Sequence, residues 1–218
     1  MNLKEIFNKY KSNLVFSDSS YLENLRINLI NNHDLNPKKL KQNESTKHYD
    51  TKILSNFSYI PHDKNFFTPL VNFDNQFIHS VFDKKELFLQ KFKEYQNIIY
   101  DDYFVNLNTI FQNSGIILNI KENFNDKIFI NNKIDNENSV FSKNFINIDQ
   151  NSHIIIIEKF DNKISSNMNI INFFDIKNNS KILHLIFQEN GIDANLQYTN
   201  FANCSEGSQY KQIIFNSS

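Results

Sequence analysis

Residues 144–160 read Asn144-Phe-Ile-Asn-Ile-Asp-Gln-Asn-Ser-His-Ile-Ile-Ile-Ile-Glu-Lys-Phe160, two apolar segments separated by a polar break. Ile146/Ile148 and Ile155/Ile157 recur at a spacing of two, the period of a strand with one face buried. Each segment is too short to be a helix of ordinary length, and the break is built from turn-forming Asp, Asn and Ser. The same pattern continues on both sides. Ile128/Ile130 precede it and Leu183/Leu185/Phe187 follow it. Strands are therefore expected near 115–120, 127–131, 144–149, 153–160, 169–176, 181–188 and 210–215, with punctuation such as Asn131-Asn132, Asp161-Asn162 and Asn178-Asn179-Ser180 between them. Many short strands mean an all-β unit, and pattern alone leaves a sandwich, a jelly roll and a β-solenoid open.

The chain before this region has other habits. All three prolines (Pro37, Pro61, Pro69) precede residue 70, and all three glycines (Gly115, Gly191, Gly207) follow residue 110. Of 30 isoleucines, 22 fall in 101–218, and the summed charge changes from +3 to −4 across residue 100, counted as 14 basic against 11 acidic and then 9 against 13. A boundary is expected there, with units 1–100 and 101–218. In the first unit Leu3, Ile6, Phe7 and Tyr10 share one helix face. Ser20 with Glu23 forms a capping-box pattern leading into Leu22, Leu25 and Leu29. Leu87, Phe88, Phe92 and Tyr95 mark a helix over about 83–100, and Asp74-Asn75 predicts a small hairpin over 70–77.

Composition excludes several functions. With 38 asparagines, 30 isoleucines and 22 phenylalanines in 218 residues, the chain reflects AT-rich codon bias, yet Ile and Phe supply enough apolar mass for a core. A net charge of −1 provides no positive field for nucleic acid or an anionic membrane. The longest aliphatic run, Ile154 to Ile157, is far short of a bilayer span, and the opening Met-Asn-Leu-Lys-Glu carries no apolar leader, so a cytoplasmic location is expected. Three glycines in total permit neither a phosphate-binding loop nor a nucleophile elbow.

Few residues carry candidate chemistry. His184, between Leu183 and Leu185, is expected on the face opposite those leucines, as a solvent-facing or ladder histidine. Cys204 is expected in a turn; a lone cysteine makes neither an internal disulfide nor a cysteine cluster. His153 and Glu158 fall on opposite strand faces. A solenoid enzyme acting on carbohydrate needs facing carboxylates, and Glu158, Asp175, Glu189 and Asp193 share no local arrangement. The single arginine, Arg26, lies in the helical unit. No catalytic, cofactor-binding or metal-ligating residue is assigned, and a non-enzymatic role is expected.

The segment Phe104-Val-Asn-Leu-Asn-Thr-Ile-Phe-Gln-Asn-Ser-Gly-Ile-Ile-Leu-Asn-Ile120 resembles the start of the core domain of the SufB/SufD family of iron–sulfur cluster assembly proteins. Leu107-Asn108, Phe111, Gly115, Leu118 and Ile120 fall on the family pattern, and the strands at 127–130, 144–148, 152–158 and 169–176 follow in its order. Upstream, Asn43 to Tyr49 is similar to the family's Glu-x-Trp-Lys-Tyr-Thr segment, with Thr46 at the tryptophan position, and 70–77 resembles its strand pair. The layout is nearest to SufD. The resemblance implies an α+β chain: a mainly helical N-terminal domain, then a right-handed parallel β-helix, truncated before the family's C-terminal functional region. It also implies a scaffold subunit working with SufB-like and SufC-like partners, and a transient iron–sulfur cluster at the assembled complex. The alternatives are a β-solenoid carbohydrate-active enzyme or lectin, and a non-functional fragment.

Overall fold

The computed structural model describes residues 3–32, 78–96, 102–134, 139–162, 166–191 and 194–217. The expected hairpin at 70–77, the 43–49 segment and the boundary at residue 100 lie outside the described residues. The elements, in order, are α1 (Leu3–Tyr10), α2 (Ser20–Asn32), β1 (Ile78–Ser80), α3 (Lys85–Gln96), α4 (Tyr103–Phe111), β2 (Ile116–Ile120), β3 (Asn125–Ile134), β4 (Ser139–Ile148), β5 (His153–Asn162), β6 (Asn167–Ile176), β7 (Lys181–Asn190), β8 (Asn195–Cys204) and β9 (Gln209–Ser217). Helices followed by a parallel β-solenoid make the chain mixed α+β, as expected.

The strands alternate between two sheets. One runs β1-β2-β4-β6-β8 and the other β3-β5-β7-β9, so from β2 onwards each strand pairs with the strand two places on. All these pairs are parallel except β1 with β2. The register advances by a constant 28 residues: Ile148 pairs with Ile176 and Ile176 with Cys204, while His153 pairs with Lys181 and Lys181 with Gln209. A sandwich or jelly roll would be antiparallel. Constant register with parallel strands is the geometry of a solenoid, in which each coil buries its neighbour's apolar edge.

The turn that makes this repeat possible is legible residue by residue. Asn123 (φ 61°), Asn151 (φ 59°), Asn179 (φ 60°) and Gly207 (φ 69°) stand 28 apart, each in the left-handed region that Asn and Gly tolerate best. The following positions, Ser152 and Ser180, link successive coils: Ser152 Oγ accepts from the Phe124 amide (3.2 Å) and Ser180 Oγ from the Ser152 amide (3.0 Å). Many asparagines stack in the same way. Asn147 Nδ2 donates to Asn119 Oδ1 (2.8 Å), Asn144 Nδ2 to Asn172 Oδ1 (2.7 Å) and Asn195 Nδ2 to Asn167 Oδ1 (3.1 Å). Such ladders satisfy amide groups that burial would otherwise leave unpaired, at a cost of about 1–3 kcal/mol each. Phe145, Phe173 and Phe201 stack along the same axis, with centroids 5.4 and 5.3 Å apart and interplanar angles of 15° and 13°.

Two apolar clusters fill the space between the sheets. Leu118, Ile128, Ile146, Ile156 and Phe174 belong to one; Ile134, Val140, Phe160, Met168 and Ile186 belong to the other. The outer side of the first sheet is also covered. Phe88, Phe92 and Tyr95 of α3 pack on Ile117, Phe145 and Phe173, with Phe88 meeting Phe145 edge-on at 5.4 Å. Each such buried ring contributes about 1.5–3 kcal/mol. Phe7 of α1 and Phe104 and Phe111 of α4 form a further cluster with Phe141 of β4. Helix α4 is capped by the Asp102 carboxylate, which accepts from the Phe104 and Val105 amides (2.8 and 3.0 Å). Its Asn108 Nδ2 donates to Ser142 O (2.9 Å) and Asn169 O (2.8 Å), tying the helix across two coils. Where the chain leaves α4 for β2, a Cβ on Gly115 would lie 2.2 Å from Lys143 O, so only glycine allows this approach.

Three local expectations are corrected. The first carbonyl to accept within α2 is that of Ser19, from the Glu23 amide (3.0 Å), so the cap falls one residue before Ser20; two adjacent serines made both registers plausible. In β5 the inward apolar residues are Ile154, Ile156 and Phe160, and Ile155/Ile157 face outward. In β7 the inward residues are Ile182, His184 and Ile186, so Leu183, Leu185 and Phe187 form the outer face. A four-isoleucine run fits either face, and here the outer face is itself apolar: Phe187 stacks on Phe215 with centroids 4.8 Å apart.

Candidate functional site

A polar layer crosses the solenoid interior between the two apolar clusters. Its centre is Glu158 on β5, which is fully buried. Register places Glu158 between Ile130 and Ile186 and places His184 between Ile156 and Gln212. Glu158 Oε2 accepts from the Tyr198 hydroxyl (2.5 Å), His184 Nε2 (3.1 Å) and Asn172 Nδ2 (3.4 Å), and Oε1 accepts from Asn132 Nδ2 (2.8 Å). The Tyr210 hydroxyl lies 2.9 Å from His184 Nδ1 and 3.2 Å from Gln212 Oε1, and its one proton goes to either acceptor. Four elements, β3, β5, β6 and β7, meet at the carboxylate, and β8 and β9 add the two phenols.

The arrangement surrounds a buried carboxyl group with four side-chain donors. Burial and the Glu158 carboxylate push the Tyr198 phenol well above its ordinary range, and the same two causes, with Cys204 adding to them, raise Tyr210. Both phenols are therefore donors at neutral pH. From Glu158 the chain of hydrogen bonds leads through His184 and Tyr210 to Gln212, whose Oε1 also accepts from Asn200 Nδ2 (2.6 Å). Gln212, Asn200 and Tyr198 line an open groove of ≈ 460 Å³ between β8 and β9. The buried carboxylate is thus connected to a solvent-facing cleft.

The candidate residues separate clearly. His184 is fully buried, not turned to solvent, because the 28-residue register places it beneath Ile128 and Ile156. It lies beside Glu158, a pairing that local spacing did not reveal. His153 is exposed and on the opposite face from Glu158, as expected. Cys204 is the exposed last residue of β8, not a turn residue, since the strand continues in register with β6 to Ile176. Asp175 pairs with Lys177 Nζ (2.9 Å) and accepts from Asn203 Nδ2 (3.2 Å). Glu189 pairs with Lys159 on the outer face (3.1 Å), and Asp193 lies outside the described residues. Arg26 is buried in the helical layer, donating from Nε to Thr109 O (3.2 Å) and from Nη2 to Val15 O (2.9 Å).

Tyr198, Asn172 and Asn132 were not singled out from sequence. Only the repeat marks them: Tyr198 stacks on Ile170 and Asn132 beside Phe160, at inward positions, while Asn172 continues the ladder Asn144–Asn172–Asn200. Fold and site together define a parallel β-solenoid flanked by helices, with one carboxylate-centred polar layer in its interior. Comparison with protein-family models, curated proteins and solved structures gives no match. Among the described residues, no helix is long and apolar enough to cross a membrane.

Proposed function

We propose that the chain is a SufD-like scaffold subunit supporting iron–sulfur cluster assembly together with SufB-like and SufC-like partners. The observation that supports this reading most is one of order. The 104–120 segment that carries the family resemblance forms a buried helix and first solenoid strand, and parallel coils follow it directly, as the family layout implies. The resembling residues hold structural positions: Asn108 ties α4 to the sheet, Gly115 admits the close passage to β2, and Leu118 and Ile120 enter the interior. Stacked coils with amide ladders make a stiff surface suited to holding partners. The cluster is cargo of the assembled complex, and no residue of this chain is assigned to it.

The test is co-purification of the intact chain from its native cell. Recovery with SufB-like and SufC-like subunits supports the scaffold. A monomer without them that cleaves or binds members of a polysaccharide panel overturns it in favour of the carbohydrate-active alternative.

A further inference from the structure

The two sheets differ on their outer sides. Among the described residues the helices cover the first sheet, and none packs on the outer face of β3, β5, β7 and β9. That face is apolar along its middle. Register aligns Phe129, Ile157, Leu185 and Ile213 in one row across the four strands, with Ile155 and Leu183 on one side of it and the stacked Phe187 and Phe215 on the other. Phe187, Ile213 and Phe215 are 37%, 46% and 45% exposed, and no residue of the row belongs to an interior cluster. Charges flank the row. Lys127, Lys181 and Lys211 lie towards the start of their strands, whereas Asp161 and Glu189 lie towards the finish, with Lys133 and Lys159.

We infer that this face docks a second copy of the chain, sheet against sheet, about a two-fold axis that runs across the strands. Such an axis reverses the partner's strands and keeps their order, so each strand meets its own copy and a position before the central row faces the equivalent position after it. The row of Phe129, Ile157, Leu185 and Ile213 then meets itself, and Leu183 meets the second copy's Phe187. The charges match as well. Lys181 faces the second copy's Glu189, and His153 its Asp161, each contact formed twice. No like charges are opposed, since Lys127 meets Asn131, Lys133 meets Asn125, Lys159 meets Ile155 and Lys211 meets Phe215. An axis along the strands would instead lay β3 on β9 and β5 on β7, setting Lys127 against Lys211 and Asp161 against Glu189. The size is sufficient. Four strands of nine or ten residues, at about 3.3 Å per residue and about 4.8 Å apart, make a face of about 600 Å² on each copy. The total of about 1,200 Å² reaches the range of stable, specific interfaces. The inference does not depend on the scaffold reading.

Sedimentation equilibrium of the full chain, from about 1 to about 200 µM, should show reversible passage from 25.9 kDa to twice that mass. Leu185→Lys, which meets its own copy near the axis, should leave a monomer throughout. Lys181→Glu and Glu189→Lys lie at exposed positions on the rim, and each should weaken the dimer at least about tenfold, because the two-fold repeats every like-charge contact. Glu189 also pairs with Lys159 of its own chain, so the decisive variant is the exchange K181E/E189K, which should regain most of the affinity that either single change loses. Circular dichroism checks that each variant keeps its strands, and the charge exchange decides alone should Leu185→Lys fail to fold. A monomer at every concentration, as when another segment of the chain occupies the face, overturns the inference. So does a dimer indifferent to Leu185→Lys and to the single charge reversals, which would place the contact elsewhere, or an exchanged pair that recovers nothing.

Discussion

Raising the pH from 7 to 9.5 should stabilise this protein, and Lys143 is the reason. In the unfolded chain a lysine amine titrates near 10.4, whereas burial holds this one at about 7 in the fold. Folding therefore releases a proton at any pH between these values, and the sign follows. The unfolded state binds more protons, so unfolding becomes harder as pH rises, by about 1.4 kcal/mol per unit once the folded amine is neutral. At pH 7 the folded amine is half protonated, which trims the first unit. The Lys143 contribution to pH 9.5 is then about 3 kcal/mol, and below about pH 6 it is flat. The residue is only 3% exposed, so solvent screening does not erase the effect. Urea unfolding of the native chain and of Lys143→Met across this range isolates the residue, because every other titration cancels in the difference. Met has similar length and no charge, so at pH 7 the variant should also gain about 2–4 kcal/mol after losing the hydrogen bond to Thr109. Parallel pH profiles for the two proteins would refute the reasoning, since they would mean the amine stays charged in the fold.

Other perturbations test the interior. Above pH 10 stability should fall, because Tyr198 and Tyr210 keep their protons in the fold while unfolded tyrosines ionise; far-UV circular dichroism during alkaline titration should show loss of strand signal, and Tyr198→Phe with Tyr210→Phe should blunt it. His184→Ala should cost about 3–5 kcal/mol in urea unfolding at pH 7, since Glu158 stays buried and loses a donor. At Gly207 the turn conformation has φ 69°, so Gly207→Asn should change thermal unfolding little, as Asn already serves at Asn123, Asn151 and Asn179. Gly207→Val, which cannot adopt that conformation cheaply, should lower stability by about 1–3 kcal/mol.

Much of the architecture was readable from local pattern, and its failures share one cause. Ile128/Ile130 and Ile146/Ile148 alternate cleanly and do face the interior. Ile154 to Ile157 and Leu183 to Phe187 are apolar on both faces, so alternation alone could not tell inside from outside. Strand β8 was missed because Asn195 to Cys204 mixes Leu196, Tyr198 and Phe201 with Gln, Thr, Asn and Ala, and it is only half-buried. What resolves all three is the repeat of 28. Position 184 stacks on 156 and 128, both inward isoleucines, and position 198 stacks on Ile170. Counted this way, His184 is an interior residue and a partner for Glu158. The site was therefore present in the sequence as a long-range period, and invisible to any window of a single strand. Helix α4 was hidden for a different reason: all of Phe104 to Phe111 is buried, so no polar face marks the period of a helix.

The polar layer also answers a problem that a codon-biased solenoid creates for itself. Coils rich in Ile and Phe can slide over one another by two residues and still bury apolar side chains, because the strand period is two. Such a slip would carry Glu158 away from Asn132, Tyr198 and His184 together and leave a buried carboxyl group among isoleucines without its donors, at a cost of about 1–3 kcal/mol or more. It would also break the amide pairs Asn144–Asn172 and Asn167–Asn195 in the same step. The apolar clusters thus supply most of the driving force for stacking, while the buried polar groups choose one register among several that hydrophobicity alone would accept. Asparagine is well suited to this task. Its amide both donates and accepts along the solenoid axis, so an abundant residue can repeat from coil to coil with its Nδ2 and Oδ1 joined, as in Asn144–Asn172 and Asn167–Asn195.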